Sequence, residues 1–309
     1  MRIYVAGING MVGSAVASEA KKQGHGVIGK SSTELDLTDR TAVFNEIQIT
    51  KPEFLIIAAA KVGGIGANSS YPVDFLSVNL QIQTNLIDAA HTSNVEKVLF
   101  LGSSCVYPRL ATQPITESAL LTGELEPTNE PYAIAKIAGL KLVQAYRRQF
   151  GHRWISVMPT SLYGPGDNFN PTSAHVLPML IRRFHKAKLD DEQFVEIWGD
   201  GSPLREFLHV KDFAIACLML LEKFDSTIAI NVGSGEEISI RNLATLIGKI
   251  VGYSGEITLN PERPNGTPRK LLDSSLIKEL GWKPSIDLEQ GIASTYEWFL
   301  SNNSEALQR

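Results

Sequence analysis

"YVAGINGMVGSAV", residues 4–16, decides how the chain is read. An apolar start runs into Gly7, Gly10 and Gly13, after which small and apolar residues continue. That order predicts a strand turning sharply into a helix. The first glycine serves the tight turn, the second lets backbone approach a pyrophosphate, and the third lets helix and strand pack closely. The helix N-terminus then presents N–H groups and the positive end of its dipole to phosphate. The spacing is GxxGxxG rather than GxGxxG, so a tight βα turn without a ligand is the competing reading. Its place directly after the first strand favours a dinucleotide, along which Gly7, Asn9, Gly10, Met11, Val12 and Gly13 are expected to lie.

Further along, RIYVAG, GVIGK, FLIIAAA, KVLFLGSS and WISVMPTSLYG read as strands, and Val73 to Ser93 and Tyr132 to Phe150 as long helices. Apolar runs alternating with helical patterns indicate βαβ units and a mostly parallel sheet covered on both faces. The expected fold class is α/β, a Rossmann-type doubly wound sheet over residues 1–163. PGDNFNPTSAHV marks the crossing into a smaller, discontinuous α/β substrate domain over 164–205 and 235–309. That domain holds the helices ISIRNLATLIGKIVGY and DLEQGIASTYEWFL, while a return segment near 206–234, with INVGSG as a strand, rejoins the first sheet.

Composition bounds the function. With 43% hydrophobic and 20% charged residues the chain has the make-up of an ordinary globular protein. A net charge of −4, with no basic run longer than a pair, argues against nucleic-acid binding, which needs clustered cations. The longest apolar run, Phe54 to Ala60, is far too short to span a bilayer. Two cysteines, Cys105 and Cys217, make neither a disulfide framework nor a CxxC pair. Met1 leads straight into a strand without a leader pattern, so a cytoplasmic setting with no membrane partner is expected.

The end of the second strand speaks to the cofactor. NAD-preferring sites place a carboxylate there for the ribose hydroxyls. Here Lys30, Ser31 and Ser32 stand instead, a cation and two hydroxyls that suit a 2′-phosphate, so NADP (as NADPH) is favoured over NAD. A solvated surface lysine is the alternative for Lys30.

The chemistry concentrates in two stretches. In PYAIAKIAGLKL, Tyr132 and Lys136 are spaced i,i+4 and share a helix face. An ammonium there is expected to lower the phenol's pKa toward the range of a general acid. In GSSCVYP, Ser103 follows the fourth strand and can hydrogen-bond a carbonyl oxygen beside that tyrosine. Cys105, in the same stretch, is either a small buried hydrophobe or a thiol that moves protons. His175, in SAHVLP, taken alone reads more often as a capping or packing residue than as a catalyst; the other histidines and Cys217 read as structural.

With the glycine turn and the strand order, Ser103, Tyr132 and Lys136 make the chain resemble the extended short-chain dehydrogenase/reductases. Within them it is similar to the epimerase-reductases that act on GDP-4-keto-6-deoxy-mannose, over essentially its whole length. Among the matching stretches are AAAKVGGI, FLGSSCVYP, LEPTNEPYAIAKIAGLK, SVMPTSLYGPGDNF, RRFH, WGDGSPLREFLHV and NGTPRKLLD. The resemblance implies a Ser103–Tyr132–Lys136 triad, with Cys105 and His175 as the acid/base pair for epimerisation at C3 and C5. It implies NADPH for reduction of the 4-keto group, and a homodimer. It places Leu101, Gly102, Ser103, Ser104, Lys136, Pro159, Thr160, Ser161, Leu162 and His175 along the cofactor, and Arg183, Trp198, Arg205 and Asn265 at the GDP-sugar substrate. Two positions depart from the family pattern: Asn265 where an acidic residue is usual, and Asn9 where a basic one is frequent. Competing readings are a 4,6-dehydratase or 4-epimerase of the same superfamily, or a regulator that senses NADP without catalysis. Dehydratases carry carboxylates where Ser104 and Cys105 stand, and an intact triad argues against the regulator.

Overall fold

The opening stretch folds as a strand, β1 (Arg2–Ala6), that turns into helix α1 (Met11–Lys22), in a computed structural model describing residues 1–263 and 265–302. The last residues of the expected substrate domain, 303–309, lie outside the described residues. Strands β2 (Gly26–Ile28), β3 (Phe54–Ile57), β4 (Lys97–Leu101) and β5 (Ile155–Pro159) follow, separated by α2 (Arg40–Thr50), α3 (Ile65–Ser70), α4 (Asn79–Thr92) and α5 (Glu130–Phe150). The second half contains β6 (Ser161–Tyr163), α6 (Val176–Leu189), β7 (Phe194–Trp198), β8 (Leu204–His209), α7 (Val210–Lys223) and β9 (Ile230–Val232). It closes with β10 (Glu237–Ser239), α8 (Ile240–Val251), β11 (Glu256–Asn260), β12 (Arg269–Lys270), α9 (Ser275–Glu279) and α10 (Leu288–Ser301).

Six strands form one parallel sheet in the order β2-β1-β3-β4-β5-β9, the Rossmann-like α/β arrangement expected from the sequence. Every residue of β4 is buried, as a strand covered on both faces demands. Fully buried Val98, Leu99 and Phe100 each contribute about 1.5–3 kcal/mol relative to exposure. One face packs on α2, α4 and α5 through Val43, Leu86 and Leu140; the other packs on α1, α7 and α9 through Val16, Phe213 and Ile277. A separate core joins α6, α8, α10 and β7 through Phe184, Ile247, Phe299 and Val195.

The expected strand Trp154 to Gly164 is two strands in two sheets. Pro159 ends β5 because it has no N–H to donate. Thr160 then spans the gap, its N–H bonding Val232 O (3.1 Å) and its hydroxyl Glu206 O (3.0 Å). From there β6 pairs with β8, which also carries β10 and β12. The long helix expected from Val73 opens as a π turn, Asp74–Val78, before becoming α4, and α5 begins at Glu130 with Pro131 in its first turn. The INVGSG stretch supplies β9, which returns to the first sheet beside β5.

Candidate active site

The strand order reverses between β1 and β3, and in such sheets ligands bind outside the strands' carboxyl ends at that point. Gly7, at φ +84°, makes the turn there; a Cβ on it would lie 2.8 Å from Ala59 N. A Cβ on Gly13 would lie 2.0 Å from Gly7 O, so the helix can approach the strand only with glycine here. Gly10 caps α1 without a side chain, and its own N–H bonds Gly7 O at 2.9 Å. The cradle that side chains would fill therefore fits a pyrophosphate. Asn9, Met11 and Val12 lie on this turn, and the ends of β4 and β5 bring Leu101, Gly102, Ser104, Pro159, Ser161 and Leu162 to the same edge. Gly102 is needed there too: its Cβ would lie 2.3 Å from Met158 Sδ.

Lys30 leaves β2 on this edge but has a partner the sequence did not reveal. Its ammonium pairs at 2.7 Å with Glu46 of α2, a buried carboxylate, and the bond and charge of Glu46 raise the lysine's pKa. Ser31 is likewise engaged, its hydroxyl donating to Glu34 at 2.6 Å.

Ser103 follows β4 and starts a short 3-10 turn, its Oγ accepting from Cys105 N at 3.2 Å. The side chains of Ser103 and Tyr132 are hydrogen-bonded. Lys136, one turn further along α5, donates to Leu101 O at 2.7 Å, and its Nζ lies 5.9 Å from the centre of the Tyr132 ring. Burial lowers Lys136 to about 8. The phenol does not follow the sequence expectation. Burial, and next the charge of Cys105, raise its pKa, and the Ser103 hydrogen bond offsets only part of this. The i,i+4 spacing puts the ammonium over the ring rather than at the hydroxyl. A phenol held protonated is nonetheless what a proton donor requires.

Cys105 is half-buried in a cationic setting. Asn129 Nδ2, at the start of α5, donates to its sulfur at 3.3 Å, and Lys270 Nζ on β12 at 3.7 Å. Arg205 is close enough to interact with it by charge, and the register of β8 and β12 sets Lys270 opposite Arg205. Asn129 Oδ1 is buried without a partner. Sequence reasoning did not single out Asn129 or Lys270, although both fall in stretches that carry the family resemblance.

His175 caps α6 with backbone geometry alone; its side chain makes no capping bond. A bond from Gly64 N to Ser173 O (2.9 Å) ties the preceding loop to the segment after β3. The imidazole is accessible to solvent yet ringed by protein, and that enclosure, then the charge of Lys270, lowers its pKa.

The expected substrate residues stand around one turn. Arg183 of α6 donates to Glu196 O of β7, and Trp198 ends β7, 41% exposed, with Arg263 stacked 5.2 Å from its ring centre. Asn265 Oδ1 accepts from Asp200 N at 3.0 Å, and Gly266 lies against the Arg205 guanidinium. Asn265 thus fixes the Gly199–Gly201 turn after Trp198, a task an amide performs with one carbonyl oxygen. Among the described residues no group of His, Cys, Asp and Glu could hold a metal ion, and no helix is long and apolar enough to cross a membrane.

Known proteins share this arrangement. The model of the NAD dependent epimerase/dehydratase family matches residues 3–233. A putative GDP-L-fucose synthase 2 of Arabidopsis thaliana is 55% identical over 304 residues, 97% of this chain and 92% of that protein. GDP-L-fucose synthase of Escherichia coli (strain K12) is 50% identical over 311 residues, 97% of each. A GDP-L-fucose synthetase from Naegleria fowleri, solved bound to NADP, superposes with a TM-score of 0.92 at 29% identity, covering 99% of this chain and 95% of that one. The glycine turn at the sheet's switch point, the Ser103–Tyr132–Lys136 grouping and these likenesses agree: the chain belongs to the NAD dependent epimerase/dehydratase family, on the branch that holds the GDP-L-fucose synthases.

Proposed function

We propose that the protein converts GDP-4-dehydro-6-deoxy-D-mannose to GDP-L-fucose, by epimerisation at C3 and C5 and then NADPH-dependent reduction of the 4-keto group. The observation that carries this is the thiol of Cys105 beside the hydrogen-bonded pair Ser103 and Tyr132, with His175 supplied by another element. A reductase alone has no use for two extra proton carriers. Epimerisation beside a ketone needs one group to remove a proton and another to return it on the opposite face. The enolate oxygen formed between the two steps needs donors, which Ser103 and Tyr132 provide, and the same donors serve the ketone during reduction. NADPH, when bound, supplies the hydride. Gly7, Gly10 and Gly13 would hold its pyrophosphate and Lys136 its nicotinamide ribose. Arg205 and Arg183 would meet the substrate diphosphate, with Trp198 a flat wall near the sugar nucleotide. The test is incubation with the keto-sugar nucleotide and NADPH, then identification of the product by NMR. GDP-L-fucose is expected; oxidation of NADPH without inversion at C3 and C5 would reduce the protein to a ketoreductase.

Lys30 would turn from Glu46 toward a 2′-phosphate while staying within reach of both. Lys30→Ala is then expected to raise the NADPH Michaelis constant roughly tenfold and the NADH one much less, the scale of a lost charge-assisted hydrogen bond. Equal changes would leave Lys30 as the partner of Glu46 alone.

The protein would work as a cytoplasmic homodimer. The outer faces of α4 and α5 carry Leu80 and Ile134, with Ile134 42% exposed, so two copies can bury them in an isologous four-helix contact. A monomer mass by sedimentation at micromolar concentration would remove that assembly. The two free cysteines suit a reducing compartment.

A further inference from the structure

The adenosine end of the dinucleotide site holds a cluster of charges that the proton and hydride transfers do not use. Lys30 follows β2, and its ammonium meets Glu46 Oε2 at 2.7 Å. Glu46 comes from α2 with its side chain only 7% exposed, against 42% for the lysine, so the pair is anchored at its acidic end. Tyr4 of β1 is buried and set opposite Ile28 by the register of β1 and β2, and its hydroxyl donates a second hydrogen bond to the same carboxylate. Glu34 adds another negative charge close enough to act on both Lys30 and Tyr4. Its carboxylate accepts from Ser31 N at 2.8 Å and Ser31 Oγ at 2.6 Å. Asn9, on the glycine turn, brings no charge. One ammonium therefore stands between two carboxylates at the place where a 2′-phosphate would bring further negative charge.

We propose that Glu46 is a positioning residue that sets cofactor selectivity: it ties Lys30 to α2, so that the site accepts NADH alongside NADPH. The proposal rests on the reading in which Lys30 turns toward the 2′-phosphate. A carboxylate at ion-pair distance cancels much of an ammonium's attraction for a second anion. It also makes the turn costly, because a lysine that swings to phosphate leaves a buried carboxylate without its cation. NADH makes no such demand. Its free 2′-hydroxyl leaves the Lys30–Glu46 pair intact, and the exposed Glu34, on the turn after β2, supplies the kind of carboxylate that accepts from ribose hydroxyls. The choice between the two dinucleotides is thus made by a side chain on a neighbouring helix as much as by Lys30 itself.

Calorimetric titration of the protein with NADP+ and with NAD+ tests this without turnover. In the unaltered protein the two dissociation constants are expected to lie within about tenfold of each other, the scale of a single charge-assisted hydrogen bond. Glu46→Gln keeps an oxygen for Tyr4 and Lys30 but removes the charge. It is expected to tighten NADP+ roughly tenfold while moving NAD+ less than about twofold, and to make NADP+ affinity fall more steeply with added salt. Combined with Lys30→Ala that gain should vanish, because the glutamate acts through the lysine. An unchanged selectivity in Glu46→Gln, or a gain that persists without Lys30, would overturn the proposal. Should the glutamine variant not fold, the unaltered protein decides: a preference for NADP+ above about a hundredfold would mean that Glu46 does not restrain Lys30. Lys30→Ala alone separates the two readings. If it weakens both dinucleotides alike, the 2′-phosphate contact falls and this proposal with it; if it weakens NADP+ selectively while Glu46→Gln changes nothing, this proposal alone falls.

Discussion

Tyr132→Phe is expected to lower turnover by roughly 10²- to 10⁴-fold, the usual contribution of a positioned general acid. The phenol lies where Ser103 hydrogen-bonds it and burial keeps it protonated, so its O–H is available to the ketone oxygen in both half-reactions. Removing one oxygen leaves the ring packed edge-on against Phe75 at 6.4 Å, so fold and cofactor affinity should be nearly unchanged. Initial rates of NADPH oxidation, set beside NADPH affinity by fluorescence titration, separate the two effects. Near-normal turnover would mean that another group protonates the oxygen and that the spacing of Tyr132 and Lys136 is an accident of the helix.

Cys105→Ser should damage a different step. The hydroxyl is similar in size and can still accept from Asn129 and Lys270, so stability should change little. It is far too weak an acid to ionise near neutral pH, and without an anion there is no base on that face of the sugar. Incorporation of solvent deuterium at C3 and C5 is therefore expected to fall at least 10²-fold, within the range for loss of a general base. Reduction uses Ser103 and Tyr132 and should survive in part, giving some 6-deoxy sugar of uninverted configuration. His175→Asn should impair exchange from the other face, with its own pattern of partial labelling. Mass spectrometry of product formed in deuterated water reads both variants. Wild-type deuterium content in the Cys105→Ser product would return this cysteine to the role of core filler.

What the sequence disclosed depends on how local each cause is. Gly7 and Gly13 were legible because only glycine permits their close approaches, to Ala59 and to Gly7 itself. Ser103, Tyr132 and Lys136 were legible because they follow one strand and share one helix face. The sense of the phenol's shift was not, since spacing fixes which residues are neighbours but not which atoms meet, and burial outweighed the ammonium. Lys270 escaped notice for a topological reason: it reaches Cys105 only through the pairing of β12 with β8, and no periodicity encodes that register. The partner of Lys30 was hidden in the same way, because Glu46 reads as one more charge on a helix until the fold buries it.

The position of β9 has a consequence during synthesis. A nascent chain that has emerged through Gly164 can pair five strands of the large sheet and leaves the outer edge of β5 bare. Val157, Met158 and Pro159 must wait for Ile230, Asn231 and Val232, which follow only after α6, β7, β8 and α7 have been made. An unpaired edge of buried apolar residues is a template for other chains, and contacts of long sequence separation form slowly. The half of the molecule that holds the glycine turn therefore cannot close its own sheet first. A chaperone or a crowded ribosome meets it with an open flank, and truncation anywhere before Ile230 makes that flank permanent, however much of the cofactor cradle is kept.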